Sequence, residues 1–306
     1  MNSSQDILAS PLTLPCGAII PNRLCKAAMT EGLADEYNRA TIGHNQLYKT
    51  WSEGGAGLLI SGNIQVDRQY LERPGNIAID GKQTEDQLKR LKDLAKAGTK
   101  NGNHFWVQIG HAGRQTDPRV NKIGVAPSPI KSRNIAGQSI MPSFPPRALE
   151  ANEIPGIVQK FADAAKVCKE CGFTGVQIHG AHGYLLSSFL NPNANKREDD
   201  YGGNLDKRAS FLIKTIKKVR ETVGDDFPVS IKVNVSDFIK EGLAPEDATR
   251  LGHLLDQEKL DLIEMSGGNY ESLATLEGGP SSDSKKVKEA YFLEASRNLR
   301  EKIKKT

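Results

Sequence analysis

Six short apolar or β-branched runs recur along the chain, and they limit its possible folds more than any other feature. They read "RLCKAAM", "GAGLLISG", "HFWVQIG", "TGVQIHG", "PVSIKVNV" and "LDLIEMSGG". The strands they predict are nearly continuous apolar runs rather than alternating ones. That is the mark of a parallel sheet covered on both faces. Between them lie stretches with helical periodicity. In "EIPGIVQKFADAAKVCKECGF", Ile157, Val158, Phe161, Ala165 and Cys168 share one stripe, and Gly172 is placed to end the helix. "RASFLIKTIKKVRETVG" puts Leu212, Ile216, Val219 and Val223 on another. "APEDATRLGHLLDQEK" opens with Pro245, Glu246 and Asp247, residues that suit a helix N-terminus.

Strand and helix alternate without a composition break, so residues 1–306 are expected to form a single α/β domain. There is no GxGxxG; "GGAG" at Gly54–Gly57 precedes a strand instead of following one, which argues against a dinucleotide-binding Rossmann unit. Polar residues collect just after the runs: Thr30, Asn63, Gln108 with His111, His179 with His182, Asn234 and Ser266. An open sheet gathers its ligand at one switch point. A (β/α)8 barrel builds its site from many strand ends, and the barrel is the better match. The proline-rich connection from Thr116 to Arg147 follows the third strand, where it is expected to act as a lid or to be a disordered insertion.

Composition narrows the partners. Hydrophobic residues make up 38% of 306, and no run reaches the length of a bilayer span. The N-terminus lacks the basic and apolar regions of a secretory signal, and four cysteines make no disulfide framework, so a reducing cytoplasmic location is expected. The charge of +4 is spread along the chain. The basic tail carries a helical pattern, Phe292, Ala295, Leu299 and Ile303, and is read as a solvated helix and not a nucleic-acid arm. Cys168 and Cys171 form a CxxC at a helix C-terminal end. A redox pair prefers the N-terminus, so packing explains them better.

"HGAHGY" carries the strongest chemistry. His179 and His182 could ligate zinc with His111, could be buried structural histidines, or could be paired donors to an electron-rich oxygen, with Tyr184 as a proton donor nearby. No HExxH motif or cysteine pair supports a metal, and none is expected. Lys232 sits mid-strand in "VSIKVNVSD", so it must face either a structural anion or an electron-rich ligand.

These residues stand in stretches that resemble the old yellow enzyme family of NADH:flavin oxidoreductases. The matching stretches are "LTLPCGAIIPNRLCKAAMTEGL", "GGAGLLISGNIQV", "VQIGHAGRQ", "APSPI", "GVQIHGAHGYLLSSFLNPNANKREDDYGGNLDKRASFL", "VSIKVNVSDF" and "DLIEMSGGNYE", in family order over essentially the whole chain. The resemblance implies a (β/α)8 barrel, FMN as cofactor, NADH or NADPH as reductant and a small-molecule electron acceptor. It implies that Ala27, Ala28, Met29 and Thr30 line the flavin ring, with Asn63 beside it and Gln108 on its pyrimidine edge. Lys232 stands where many members have arginine, beside the flavin N1 and O2. His179 and His182 would hold the oxygen of an α,β-unsaturated carbonyl acceptor, and Tyr184 would protonate the acceptor's α-carbon. In the family two more βα units follow the helix that reads as the sixth here. At on the order of 30 residues each, about 60 are missing, and with them the phosphate-binding turn. Weakened FMN binding, or a non-catalytic truncated form, is the expected consequence, with unpaired edges on the first and sixth strands.

Overall fold

The six apolar runs form six parallel strands of one sheet in a computed structural model that describes residues 4–132, 144–271 and 292–303. We label them β1 (Cys25–Lys26), β2 (Leu58–Ile60), β3 (His104–Gly110), β4 (Gly175–Gly180), β5 (Val229–Asn234) and β6 (Leu262–Ser266). Their order in space is their order in the chain, and each pairing is parallel. A doubly wound sheet reverses its strand order at a switch point; a barrel advances by one neighbour at a time. The sheet is therefore of the barrel type, a curled parallel wall with six βα units among the described residues.

A helix follows each strand: α1 (Ile42–Glu53), α2 (Glu85–Gly98), α3 (Ile154–Glu170), α4 (Leu205–Val223), α5 (Pro245–Leu255) and α6 (Leu293–Arg300). Local chemistry sets their ends. Thr84 and Gln87 close a capping box at the start of α2, each side chain bonding the other's backbone N–H. The Asn204 side chain accepts from Lys207 N at 3.0 Å, which starts α4 three residues ahead of the predicted Arg208. Gly172 adopts φ +90°, a left-handed turn that stops the chain just beyond α3. The predicted stripes of α3 and α4 are buried, and these two helices pack on each other. Leu299 and Ile303 of the tail are buried as well. Cys168 and Cys171 are buried, and burial pushes both thiols up, away from reactivity.

Alternation along the strands sorts two cores. Leu59, Phe105 and Val107 face the helices, where Phe105 stacks on Tyr48 with ring centroids 4.4 Å apart. Leu58, Ile60 and Trp106 face inward and pack with Leu14 and Ile20 of an N-terminal hairpin, Leu12–Thr13 with Ile19–Ile20. The Trp106 indole lies over Gly175, where a Cβ would meet it at 2.5 Å. Period two then carries Gln108, Gln177, His179, Lys232 and Glu264 onto the same inner face, above this apolar floor.

The proline-rich connection is anchored where it is described. Val125–Ala126 pairs with Arg147–Ala148, and Arg197 donates to the carbonyls of Pro127 and Leu149. Residues 133–143, where a lid would have its tip, lie outside the described residues. No helix of the described residues is long and apolar enough to cross a membrane.

One buried ion pair ties the base of the sheet together. Arg220 of α4 contacts Asp261 at 2.7 Å and donates to the carbonyls of Gly224, Phe227 and Lys259. Asp261 in turn accepts from Val229 N at the start of β5 and from Cys16 N in the hairpin, both at 2.8 Å. Replacing Arg220 by Met leaves a buried carboxylate without its cation, and a loss of about 3–5 kcal/mol is expected. Urea denaturation of the two chains measures it, and a difference below about 1 kcal/mol would show the pair to be dispensable.

Candidate active site

The sequence-predicted residues converge. Ala28, Met29, Thr30, Asn63, Gln108, His179, His182, Tyr184 and Lys232 line one cavity of about 170 Å³ at the C-terminal ends of the strands, joined by Tyr270. Ala27 is the exception, exposed just past β1 and outside this lining. His111 is buried against Tyr70 at a ring distance of 5.1 Å and does not line the cavity. No group of three or more potential metal-ligating His, Cys, Asp or Glu side chains occurs among the described residues.

β4 delivers the histidines. His179 points inward beside Gly110, where a Cβ would come within 3.3 Å of the His179 Cβ, so the glycine keeps room for the ring. Its Nδ1 accepts from Ala181 N at 3.4 Å, which puts the proton of the neutral ring on Nε2. His182 follows in a left-handed conformation, φ 61°, a region that costs most residues energy and that histidine enters more readily than most. Contacts from several elements hold it there. Its N–H donates to Asn234 Oδ1, its carbonyl accepts from Gln115 Nε2, and its Nε2 lies 2.7 Å from Ser266 Oγ. The rings of His179 and His182 stand nearly perpendicular, centroids 5.4 Å apart. Tyr184 packs on His179 at 4.7 Å and brings its hydroxyl within 3.4 Å of that of Tyr270.

Burial sets the protonation states. It drives His179 well below the usual histidine range, with His182 and Lys232 acting in the same direction. Burial and Lys232 bring His182 down to about 3. Both imidazoles are thus neutral donors at physiological pH. Burial raises the Tyr184 phenol well above its usual value, with Glu72 and Tyr270 adding to the effect, so it keeps its proton.

Lys232 faces an anion: Glu264 lies 2.8 Å from its ammonium. Gln177 donates to the other Glu264 oxygen at 2.8 Å, and Gln108 donates to Gln177 at 2.8 Å. At the opposite wall Thr30 lies 2.9 Å from Glu72 Oε2 and 3.2 Å from Asn63 Oδ1, and Glu72 pairs with Arg73. The sequence reading missed Gln177, Glu264, Glu72 and Tyr270. Glu264 carried the same signal as Lys232, a charge inside an apolar strand; Glu72 and Tyr270 come from loops and carried none.

This lining suits a planar, acceptor-rich heteroaromatic ring. It offers the Lys232 cation, the Gln108 amide, the Thr30 hydroxyl and two neutral imidazoles around one cavity.

Comparison with known proteins bears on this arrangement. The family model described as NADH:flavin oxidoreductase / NADH oxidase family matches residues 8–303. The chain is 35% identical over 312 residues to the NADH-dependent flavin oxidoreductase iliE of Hypocrea jecorina, covering 96% of this chain and 76% of that protein. It is 34% identical over 261 residues to an NADH oxidase of Thermoanaerobacter brockii, covering 84% of this chain but 39% of the relative. Among solved structures, morphinone reductase in complex with tetrahydroNAD superposes with TM-score 0.73 at 28% identity, over 84% of this chain and 73% of that one. An old yellow enzyme homologue from Zymomonas mobilis shares the fold, with TM-score 0.80 at 24% identity, over 97% of this chain and 80% of that one.

The buried imidazoles make stability depend on pH. In the unfolded chain His182 takes up a proton near its ordinary 6.5; in the folded chain it does so only near 3. Its depressed value leaves stability intact above 6.5 and erodes it as pH falls towards 3. His182→Asn, which tolerates the left-handed backbone, is expected to reduce proton uptake on unfolding by about one in this window. Urea midpoints between pH 4 and 7 measure it; an unchanged slope would mean His182 is protonated in the fold.

Proposed function

Given that the chain belongs to the NADH:flavin oxidoreductase / NADH oxidase family, we propose that it is an FMN-dependent oxidoreductase of ene-reductase type. It reduces the activated C=C bond of α,β-unsaturated carbonyl compounds at the expense of NADH or NADPH. The observation that carries this is the meeting of two neutral imidazoles and a protonated tyrosine with the Lys232 cation and the Gln108 amide around one cavity. Residues 1–306 act in this reading as one domain, because the strands of a single sheet and the loops that follow them line the site together.

Lys232, Gln108 and Thr30 would hold the flavin ring, with Asn63 beside it through its backbone and Ala28 and Met29 flanking it. Bound FMN supplies the hydride. His179 donates from Nε2 to the acceptor's carbonyl oxygen, and His182 faces the same oxygen from a perpendicular ring. Neutral donors fixed before the reaction stabilise the negative charge that grows on that oxygen, without first being protonated themselves. Tyr184 delivers a proton to the acceptor's α-carbon, and Tyr270 beside its hydroxyl orients it.

The test is a steady-state assay of the purified chain supplied with FMN, NADH and a cyclic enone. Tyr184→Phe is expected to lower enone turnover by about 10²–10⁴ and His179→Ala by about 10²–10³, with FMN binding retained in the Tyr184 variant. Because burial holds the Tyr184 proton above its ordinary 10.0, turnover is expected to show no loss from tyrosine ionisation up to that pH. Full turnover in Tyr184→Phe would remove the assigned proton donor.

A further inference from the structure

Four side chains on four successive strands form an unbroken polar row across the inner face: Gln108 on β3, Gln177 on β4, Lys232 on β5 and Glu264 on β6. Lys232 lies 2.8 Å from Glu264 Oε1; Gln177 Nε2 donates to Glu264 Oε2 at 2.8 Å; Gln108 Nε2 donates to Gln177 Oε1 at 2.8 Å. Gln108, Gln177 and Lys232 are buried, and Glu264 is partly so. The row has a direction, and one member dictates it.

An ionised carboxylate can only accept hydrogen bonds. Glu264 therefore obliges Gln177 to turn its NH2 outward along the row, which leaves the Gln177 carbonyl facing Gln108. Gln108 must answer with its own NH2, so its carbonyl oxygen becomes the free end of that amide at the cavity. The other Glu264 oxygen fixes Lys232 at the same time. We propose that Glu264 is a positioning residue that, through Gln177, sets which end of the Gln108 amide meets the cavity, and that it anchors Lys232 there. Its consequence for FMN rests on the flavin reading given above; the row itself does not.

Glu264→Gln makes the relay reversible. The new glutamine must give its carbonyl to Lys232 and turn its NH2 to Gln177. Gln177 then has to accept, and its NH2 swings to Gln108, which must offer a carbonyl in turn. Every amide in the row inverts. The negative charge beside Lys232 also disappears, so the ammonium stabilises an anionic reduced flavin more strongly. Gln177→Met tests the row separately: it leaves the Lys232–Glu264 pair in place and releases Gln108.

Neutron diffraction from perdeuterated crystals of the flavin-free chain and of Glu264→Gln reads the amide orientations directly. The expected result is inversion at Gln177 and Gln108; unchanged amides would overturn the relay. Fluorescence titration with FMN and equilibrium redox titration give the functional side. Gln177→Met is expected to weaken FMN binding about tenfold with little change in potential. Glu264→Gln is expected to shift the potential upward. Equal FMN affinity in wild type and Gln177→Met, or an unmoved potential in Glu264→Gln, would overturn the positioning role, and a merely structural glutamate would give that pattern. A wild-type chain that binds no FMN would instead overturn the flavin reading, while the neutron maps still decide the relay.

Discussion

The site depends on a register. β4, β5 and β6 pair so that His179, Lys232 and Glu264 lie side by side on one level, with Gln177, Ser230 and Leu262 on the level below. Side chains alternate faces with period two, so sliding any one of these strands by a single residue would turn its chemical groups into the helix layer and its aliphatic groups into the cavity. Buried apolar surface on both faces makes such a slip expensive. Val176, Ile178, Val229, Ile231 and Val233 fill the helix-facing side and hold the polar row in place.

That placement brings groups together that water would otherwise keep apart. A cation, a carboxylate and two imidazoles share a small volume, and the chain resolves the conflict by dividing roles. Lys232 and Glu264 neutralise each other, Gln108 donates to Gln177 and Gln177 to Glu264, and the imidazoles shed their protons instead of adding further positive charge. A like-for-like arrangement holds at the base, where Arg220 and Asp261 pair and spend their remaining valences on backbone groups. Buried charges are acceptable in both places because nearly every hydrogen-bonding position is matched.

Much of this was readable in one dimension. Apolar runs gave the strands, helical periodicity gave α3, α4 and α5, and polar residues after the runs pointed to the cavity, as Thr30, Asn63, Gln108, His179 and His182 show, while Lys232 was marked by its charge inside an apolar strand. The residues that escaped did so for physical reasons. Glu264 was passed over as part of a motif although a carboxylate inside "LIEMS" needs a partner as surely as Lys232 does. Tyr270 and Glu72 reach the cavity from loops, where no periodicity marks direction. Arg220 and Asp261 are 41 residues apart, and neither helix pattern nor strand pattern hints that they meet. Ala27 neighbours Ala28 in the chain yet misses the cavity lining, because adjacent residues leaving a strand diverge.

Chain-order stacking has a further consequence for how such a protein can change. Each strand-and-helix segment contributes its own share of the wall: Thr30 after β1, Asn63 after β2, Gln108 on β3, the histidines on β4 and just after it, Lys232 on β5, Glu264 on β6. Exchange of one segment with a relative would transplant one contact and leave the others seated. A crossover inside α2 would respect these cassettes. A crossover between β4 and β6 would separate Gln177 from the carboxylate that orients it, so recombinants broken there would inherit mismatched halves of one network.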